Sequence, residues 1–427
     1  MQQNNIMSQI IKILLAFIVS WMFFFPLNFN FLPSAINSKM LMAVLGMVFI
    51  WRDQVKHQFG FIVDRSVIWI YTLAILFSLS CFASTVINNT YVKDYTTYFI
   101  SMAVWFSAAY ASYSMIKYAH NRDSIVLIGK YIIALCVVQG ILSFAFHVYP
   151  EVYNLFSKFF YVQKATAKSG TRLFGLGTSS DTGGIRYAVS LLFIAYLMCK
   201  TRPTLKEKYL YAISFLIIVV FGNMMSRTTS VGALLAIIYI AIKTNWNRVK
   251  GGAIQPISVL LITVVLFMPI LLVFSNFFPQ TAKLYEFAFE GFINFMNNGE
   301  WATSSTNILL GMWNIWPNNV KTWLIGDGML LNPDDPSLYY MGTDVGYIRF
   351  IFYCGLPGLL LFILFFMFLY AELKKRMPWH ADLFLLLLVM ALAIWVKVTT
   401  DIFFVFALIL CITPQKEELA NQMLSEG

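Results

Sequence analysis

Residues 345–370 read VGYIRFIFYCGLPGLLLFILFFMFLY, an apolar run with one charged residue, Arg349, about a turn in from its start. The run is longer than the ~20 residues an α-helix needs to cross ~30 Å of hydrocarbon. Comparable blocks recur on both sides. Ile10–Phe25, Ala35–Trp51, Ser66–Val86, Thr96–Ser114, Ser124–Val148, Gly184–Cys199, Tyr209–Asn223, Thr228–Ile242 and Ile257–Phe274 precede it, and Ala381–Val396 and Ile402–Ile412 come after it. Together they predict an all-α fold, a polytopic transmembrane helical bundle of about twelve spans, with residues 1–427 as a single transmembrane domain. Strand-like alternation is absent, which argues against a β-barrel. Composition agrees, because 59% apolar and 12% charged residues lie outside what a water-soluble globular domain carries. No charged leader with a small-residue cleavage site opens the chain, so the first span is expected to be retained.

Basic residues in the connections set the expected orientation. With the N-terminus inside, the cytoplasm receives Lys12, Arg52, Lys56, Arg65, Lys117, Arg122, Lys130, Lys200, Arg202, Lys206 and Lys208. Lys243, Arg248, Lys250, Lys374, Lys375, Arg376 and Lys416 join them, whereas the short outer connections hold only Lys39, Lys93, Arg227 and Lys397. Both termini are therefore expected in the cytoplasm. This asymmetry accounts for the net charge of +10 without a nucleic-acid partner and gives the protein membrane lipids as its surroundings.

All five cysteines (Cys81, Cys136, Cys199, Cys354, Cys411) fall within or at the ends of apolar blocks, so neither a disulfide framework nor a metal site is expected. Of His57, His120, His147 and His380, only His147 would lie outside, with no Cys or His at ligand spacing. Two long connections, residues 149–183 and 275–344, are expected on the extracytoplasmic face, and long connections usually carry function. The second contains KLYEFAFEGFINFMN (Lys283–Asn297), with Leu284, Phe287, Phe292 and Phe295 on one helical face and Glu286 and Glu290 on another. That pattern fits either a helix lying in the membrane interface or a small helix packed within the loop.

Four arginines mark the candidate site. Arg172 and Arg186 bracket the small-residue stretch TRLFGLGTSSDTGGIRYAV, where backbone can approach a ligand closely and a guanidinium can grip phosphate oxygens with two parallel bonds. Arg227 sits at the tip of a hairpin of two blocks of about fifteen residues, each reaching ~22 Å and so short of the full core. A charge recessed there needs a polar interior, and Ser226, Thr228 and Thr229 supply one; Arg349 invites the same reading. Snorkelling to headgroups is the plainer alternative. Asp344, in MGTDVGYIRF, is positioned either as an N-cap or as a general base toward a sugar hydroxyl. Asp181 lies in the first loop, and Asp327, Asp334 and Asp335 in the second.

Three of these patterns resemble the bacterial O-antigen polymerase and ligase superfamily. They are Arg172 with the small residues up to Gly184, the S-R-T turn of Ser226–Gly232, and the G-x-G of Gly326–Gly328 with the Asp344–Gly358 pattern downstream of it. The ten residues between Arg172 and Gly183 also resemble the arginine-to-glycine spacing of the polymerases. The resemblance covers the chain from Tyr149 onward, and each motif is short. It implies a GT-C-like, metal-independent glycosyltransferase of the bacterial inner membrane, without cofactor. Its substrates would be undecaprenyl-pyrophosphate-linked glycans joined on the outer face, with a chain-length regulator as a further partner. Arg172, Arg186, Arg227 and Arg349 would bind pyrophosphate, and Asp344 would act as the base. Ligases of the superfamily commonly carry a histidine where Asp344 stands, which favours polymerase over ligase. A flippase or transporter of lipid-linked oligosaccharides is the reading from another class, although no repeat relates residues 1–199 to 200–427.

Overall fold

A computed structural model describes residues 2–33, 36–56, 65–162, 170–201, 203–244 and 255–412. The orientation expectations that rest on Arg202, Arg248, Lys250 and Lys416, the histidine at His57 and part of the 149–183 loop lie outside the described residues. The helices are α1 (Gln2–Phe24), α2 (Ser38–Lys56), α3 (Arg65–Ile87), α4 (Tyr98–His120), α5 (Ile125–Val148) and α6 (Pro150–Ser157). After them come α7 (Ser180–Lys200), α8 (Leu205–Met225), α9 (Thr228–Lys243), α10 (Pro256–Phe277) and α11 (Ala282–Asn298). The series ends with α12 (Ser304–Met312), α13 (Val320–Leu324), α14 (Gly346–Arg376), α15 (Ala381–Ala393) and α16 (Phe403–Leu410).

Eight helices among the described residues are long and apolar enough to cross a membrane, and they fall on eight of the twelve blocks read from sequence. The other four blocks are also helical. However, α2 includes Lys39, Arg52 and Asp53, α9 has 16 residues, α16 has 8, and the described apolar part of α10 is Pro256–Leu266. The chain is thus a helical membrane protein. Its contacts divide it into two compact units, residues 1–49, 107–293 and 407–427 in the first, and 50–106 and 294–406 in the second.

In the first unit α7 is largely apolar, and its residues from Gly183 to Met198 are all buried, Arg186 among them. It packs against α5, α8 and α9. Small residues permit the closeness: a Cβ on Gly222 would sit 2.6 Å from Thr229, and one on Gly184 2.7 Å from the Ser226 Cβ. The segment leading into α7 folds as a two-residue antiparallel pair, β1 (Phe174–Gly175) with β2 (Thr178–Ser179). Gly177 turns it with φ +68°, where a side chain would meet the Pro26 and Phe25 carbonyls at 2.5 and 2.6 Å. The Leu173 amide donates to the Met224 carbonyl at 2.9 Å, and Gln139 Nε2 donates to the Leu176 carbonyl at 3.1 Å. These bonds pin the Arg172 segment to the body of α5 and the end of α8.

In the second unit α14 packs on α3 and α15 and is broken at Gly355, the tenth of its 31 residues. Gly355 takes φ 69° and ψ 175°, a region open essentially to glycine, and Pro357 lacks the N–H that would bond the Tyr353 carbonyl. The Gly-Asp-Gly turn at 326–328 satisfies the freed groups. The Asp327 amide donates to the Phe352 carbonyl at 2.5 Å and the Gly328 amide to the Tyr353 carbonyl at 3.2 Å. The Ser84 hydroxyl adds a third bond, to Tyr353, at 2.7 Å. The G-x-G element and the downstream glycines therefore serve one junction.

Candidate functional site

In the first unit, Arg172 and Arg227 converge on one ring. Their guanidinium carbons lie 4.7 and 4.4 Å from the centroid of Phe287, on α11. Arg227 also donates from Nε and Nη2 to the Phe287 carbonyl, at 3.2 and 3.1 Å, and forms an ion pair with Glu290, one turn further along α11. Burial lowers the Arg227 pKa, and the neighbouring Arg172 charge lowers it further against the pull of Glu290. Beside this pair the Ser226 hydroxyl donates to Asp181 at 2.8 Å and the Thr228 hydroxyl donates to it at 3.3 Å. Ser226, Thr228 and Thr229 are all buried around the α8–α9 turn, and the Thr229 hydroxyl donates to the Gly184 carbonyl at 3.4 Å.

Arg186 has a different set of partners. It is buried, with Nε donating to the Phe24 carbonyl, Nη1 to the Thr182 carbonyl at 2.8 Å, and its guanidinium 5.9 Å from the Phe25 ring. These contacts tie α7 to the end of α1.

The second unit holds the other two candidates together. Arg349 Nη1 lies 3.5 Å from Asp344 Oδ1, and Nη2 donates to the Leu330 carbonyl at 3.1 Å. The guanidinium carbon lies 4.3 Å from the Tyr339 ring centroid. The cap position of α14 is Val345, one residue beyond Asp344, and the Val345 amide donates to the Thr343 hydroxyl at 3.3 Å. Arg349 also lines a cavity with Asp94, Tyr95 and Asp401 that nothing in the sequence singles out. Burial raises the Tyr95 hydroxyl well above its ordinary pKa, with Asp401 and Asp94 adding to the shift and Arg349 opposing it. Asp327, in the second loop, accepts from the Thr322 hydroxyl at 2.7 Å and the Tyr340 hydroxyl at 3.3 Å.

No protein-family model matches the chain, and no curated protein matches it.

The arginines stand out in the sequence, whereas the groups that hold them do not. Phe287 and Glu290 are separated from Arg227 by about sixty positions, and no local pattern distinguishes them from the rest of an amphipathic helix. Asp94 and Asp401 flank apolar blocks, where acidic residues read as ordinary span ends.

Proposed function

We propose that the protein is a bacterial inner-membrane glycosyltransferase of the O-antigen polymerase kind, joining undecaprenyl-pyrophosphate-linked repeat units on the extracytoplasmic face. The observation that carries this reading is the meeting of Arg172 and Arg227 on Phe287, in a membrane-embedded helical chain. Two guanidiniums in a half-buried setting repel each other and call for an anion. Glu290 supplies one negative charge to Arg227, whereas a pyrophosphate diester carries two and would engage both arginines while displacing Glu290. Fixed positive charge is also what a pyrophosphate leaving group requires. In this reading Arg186 keeps the pyrophosphate-binding segment in register rather than gripping the ligand, and Arg349 orients Asp344.

The acceptor hydroxyl passes its proton to the Asp344 carboxylate, and its oxygen attacks the anomeric carbon of the donor. The bond from that carbon to the pyrophosphate oxygen breaks, and the lipid pyrophosphate leaves with the electron pair. Both termini in the cytoplasm, about twelve spans and a chain-length regulator as partner belong to the same proposal.

Reconstitution of the purified protein in liposomes with a lipid-linked repeat unit tests it. Chain growth is expected. Leaflet transfer without growth would assign a flippase, and transfer of preformed chains to a lipid acceptor would assign a ligase.

A further inference from the structure

The second unit contains a cavity of about 340 Å³ with a chemistry unlike that of the arginine pair. It lies at the lower end of the ~300–1,000 Å³ typical of small-molecule sites. Asp94, Tyr95, Tyr98, Trp105, Arg349 and Asp401 line it. Two carboxylates face one guanidinium that has its own counter-ion, Asp344, at 3.5 Å. The lining is therefore net negative, and a phosphate or pyrophosphate is disfavoured there.

Three features point to an uncharged polyhydroxylated ring. First, Arg349 is 7% exposed and its Nε has no hydrogen-bond partner, a buried donor that a ligand oxygen would satisfy. Second, the carboxylates are acceptors suited to hydroxyl donors. Asp401 Oδ1 takes the Phe403 amide at 2.8 Å, and a carboxylate has lone pairs for further donors. Third, aromatic walls flank the polar groups, with the Tyr95 hydroxyl committed to the Thr399 carbonyl at 3.0 Å so that its ring is fixed. A sugar ring has an apolar C–H face and a rim of hydroxyls that both donate and accept, and this lining matches both parts. An ammonium ion would suit the carboxylates and rings, but it would meet the Arg349 charge.

The geometry points to a binding site for one neutral pyranose in this cavity. The further assignment, that the pyranose is the terminal sugar of the acceptor, rests on the glycosyltransferase reading. Binding of a free sugar does not. Arg349 couples the two, since it lines the cavity and pairs with Asp344.

Saturation-transfer NMR on the full-length protein in lipid nanodiscs, with the methyl glycosides of glucose, galactose and N-acetylglucosamine, tests the site. At least one glycoside should give a signal. Asp94→Asn and Asp401→Asn should each weaken it by about tenfold or more, the loss expected for a hydrogen bond to a charged group. Asparagine at 401 retains an acceptor for the Phe403 amide, so that variant should keep its melting temperature. Trp105→Leu provides an independent change from the aromatic side and should also weaken binding. Silence from all three glycosides, or unchanged affinity in both asparagine variants, overturns the proposal. So does displacement of the sugar by tetramethylammonium, which would mark a cation site. Sugar binding without chain growth in liposomes supports the site and tells against the polymerase. Chain growth with an unaltered acceptor KM in both asparagine variants overturns the site and leaves the polymerase reading standing.

Discussion

Arg172 and Arg227 grip the same Phe287 ring, and both use the flat, forked shape of the guanidinium to do so. Lysine preserves the charge but loses the stacking and the paired donors. Arg172→Lys and Arg227→Lys are therefore expected to lower donor-dependent chain growth by roughly 10² while leaving protein levels unchanged, the scale seen when one preorganised donor to a developing charge is removed. Arg186→Lys should behave differently, because its donors end on the Phe24 and Thr182 carbonyls. Its main effect should be a lower melting temperature, from about 1–3 kcal/mol of lost bonding to buried carbonyls. A normal melt with abolished chain growth would instead return Arg186 to the pyrophosphate. Asp344→Asn separates base from scaffold: asparagine can still accept a bond from Arg349 but cannot take a proton. Chain growth should fall by about 10²–10⁴ with donor binding retained, and wild-type growth would remove Asp344 from the chemistry. The arginines were legible in the sequence because a charge beside an apolar run stands out on its own. Glu290 was not, because its partner lies in another part of the chain and its own helix face looks like any solvated one.

Helices in this protein are interrupted where chemistry demands and are rejoined by specific bonds. The break in α14 requires Gly355 at φ 69°, and a Cβ there would also lie 2.6 Å from the Leu324 carbonyl carbon and oxygen. Gly355→Ala should cost at least about 1–3 kcal/mol from the backbone alone, with the Leu324 overlap added. Pro357→Ala only restores an N–H toward a Tyr353 carbonyl already bonded to Ser84 and Gly328, so it should be the milder change. Thermal melts of the two variants check that order. At the α4–α5 junction, Asp123 accepts from the Tyr113 hydroxyl at 2.5 Å and the Lys117 ammonium at 3.1 Å. Burial pushes its pKa up, but these two partners overcome that and hold it below the ordinary 3.8. A carboxyl depressed in the folded state contributes stability above its unfolded pKa and loses it as pH falls through the folded one. The melting temperature should therefore drop on acidification below about pH 4, and Asp123→Asn should lower it at neutral pH and flatten that acid limb. Apolar length made the spans readable in advance. The break in α14 was not readable in the same way, since Gly-Leu-Pro-Gly inside an apolar run is compatible with a tolerated kink until the Gly326–Gly328 turn is seen to bond into it.

For the whole molecule, orientation turns on the last two apolar blocks. Lys374, Lys375 and Arg376 end α14, and the proposed topology puts that end in the cytoplasm by the charge rule. Pro378–Val396 is long and apolar enough to cross once, toward the outer face. The chain is then irregular from Lys397 to Ile402, and α16 beyond it has 8 residues that reach only ~12 Å. Irregular backbone at membrane depth is tolerated only where protein or a wet cavity satisfies it. Here the Thr400 carbonyl accepts from Trp395 Nε1 at 2.6 Å, the Thr399 carbonyl accepts from Tyr95, and Asp401 takes the Phe403 amide. Residues Phe403 to Leu410 are themselves buried, so α16 is shielded by protein along its whole length. A half-length helix with its own start, coming after a completed span, suits a returning arm better than the tail of a single kinked span. This agrees with the proposed topology, in which the C-terminus is cytoplasmic. Alkaline phosphatase fused after Gly427 should be inactive, and a green fluorescent protein at the same point should fluoresce. An active phosphatase with a dark fluorescent fusion would mean that the chain does not return after Val396, and the span count would be odd.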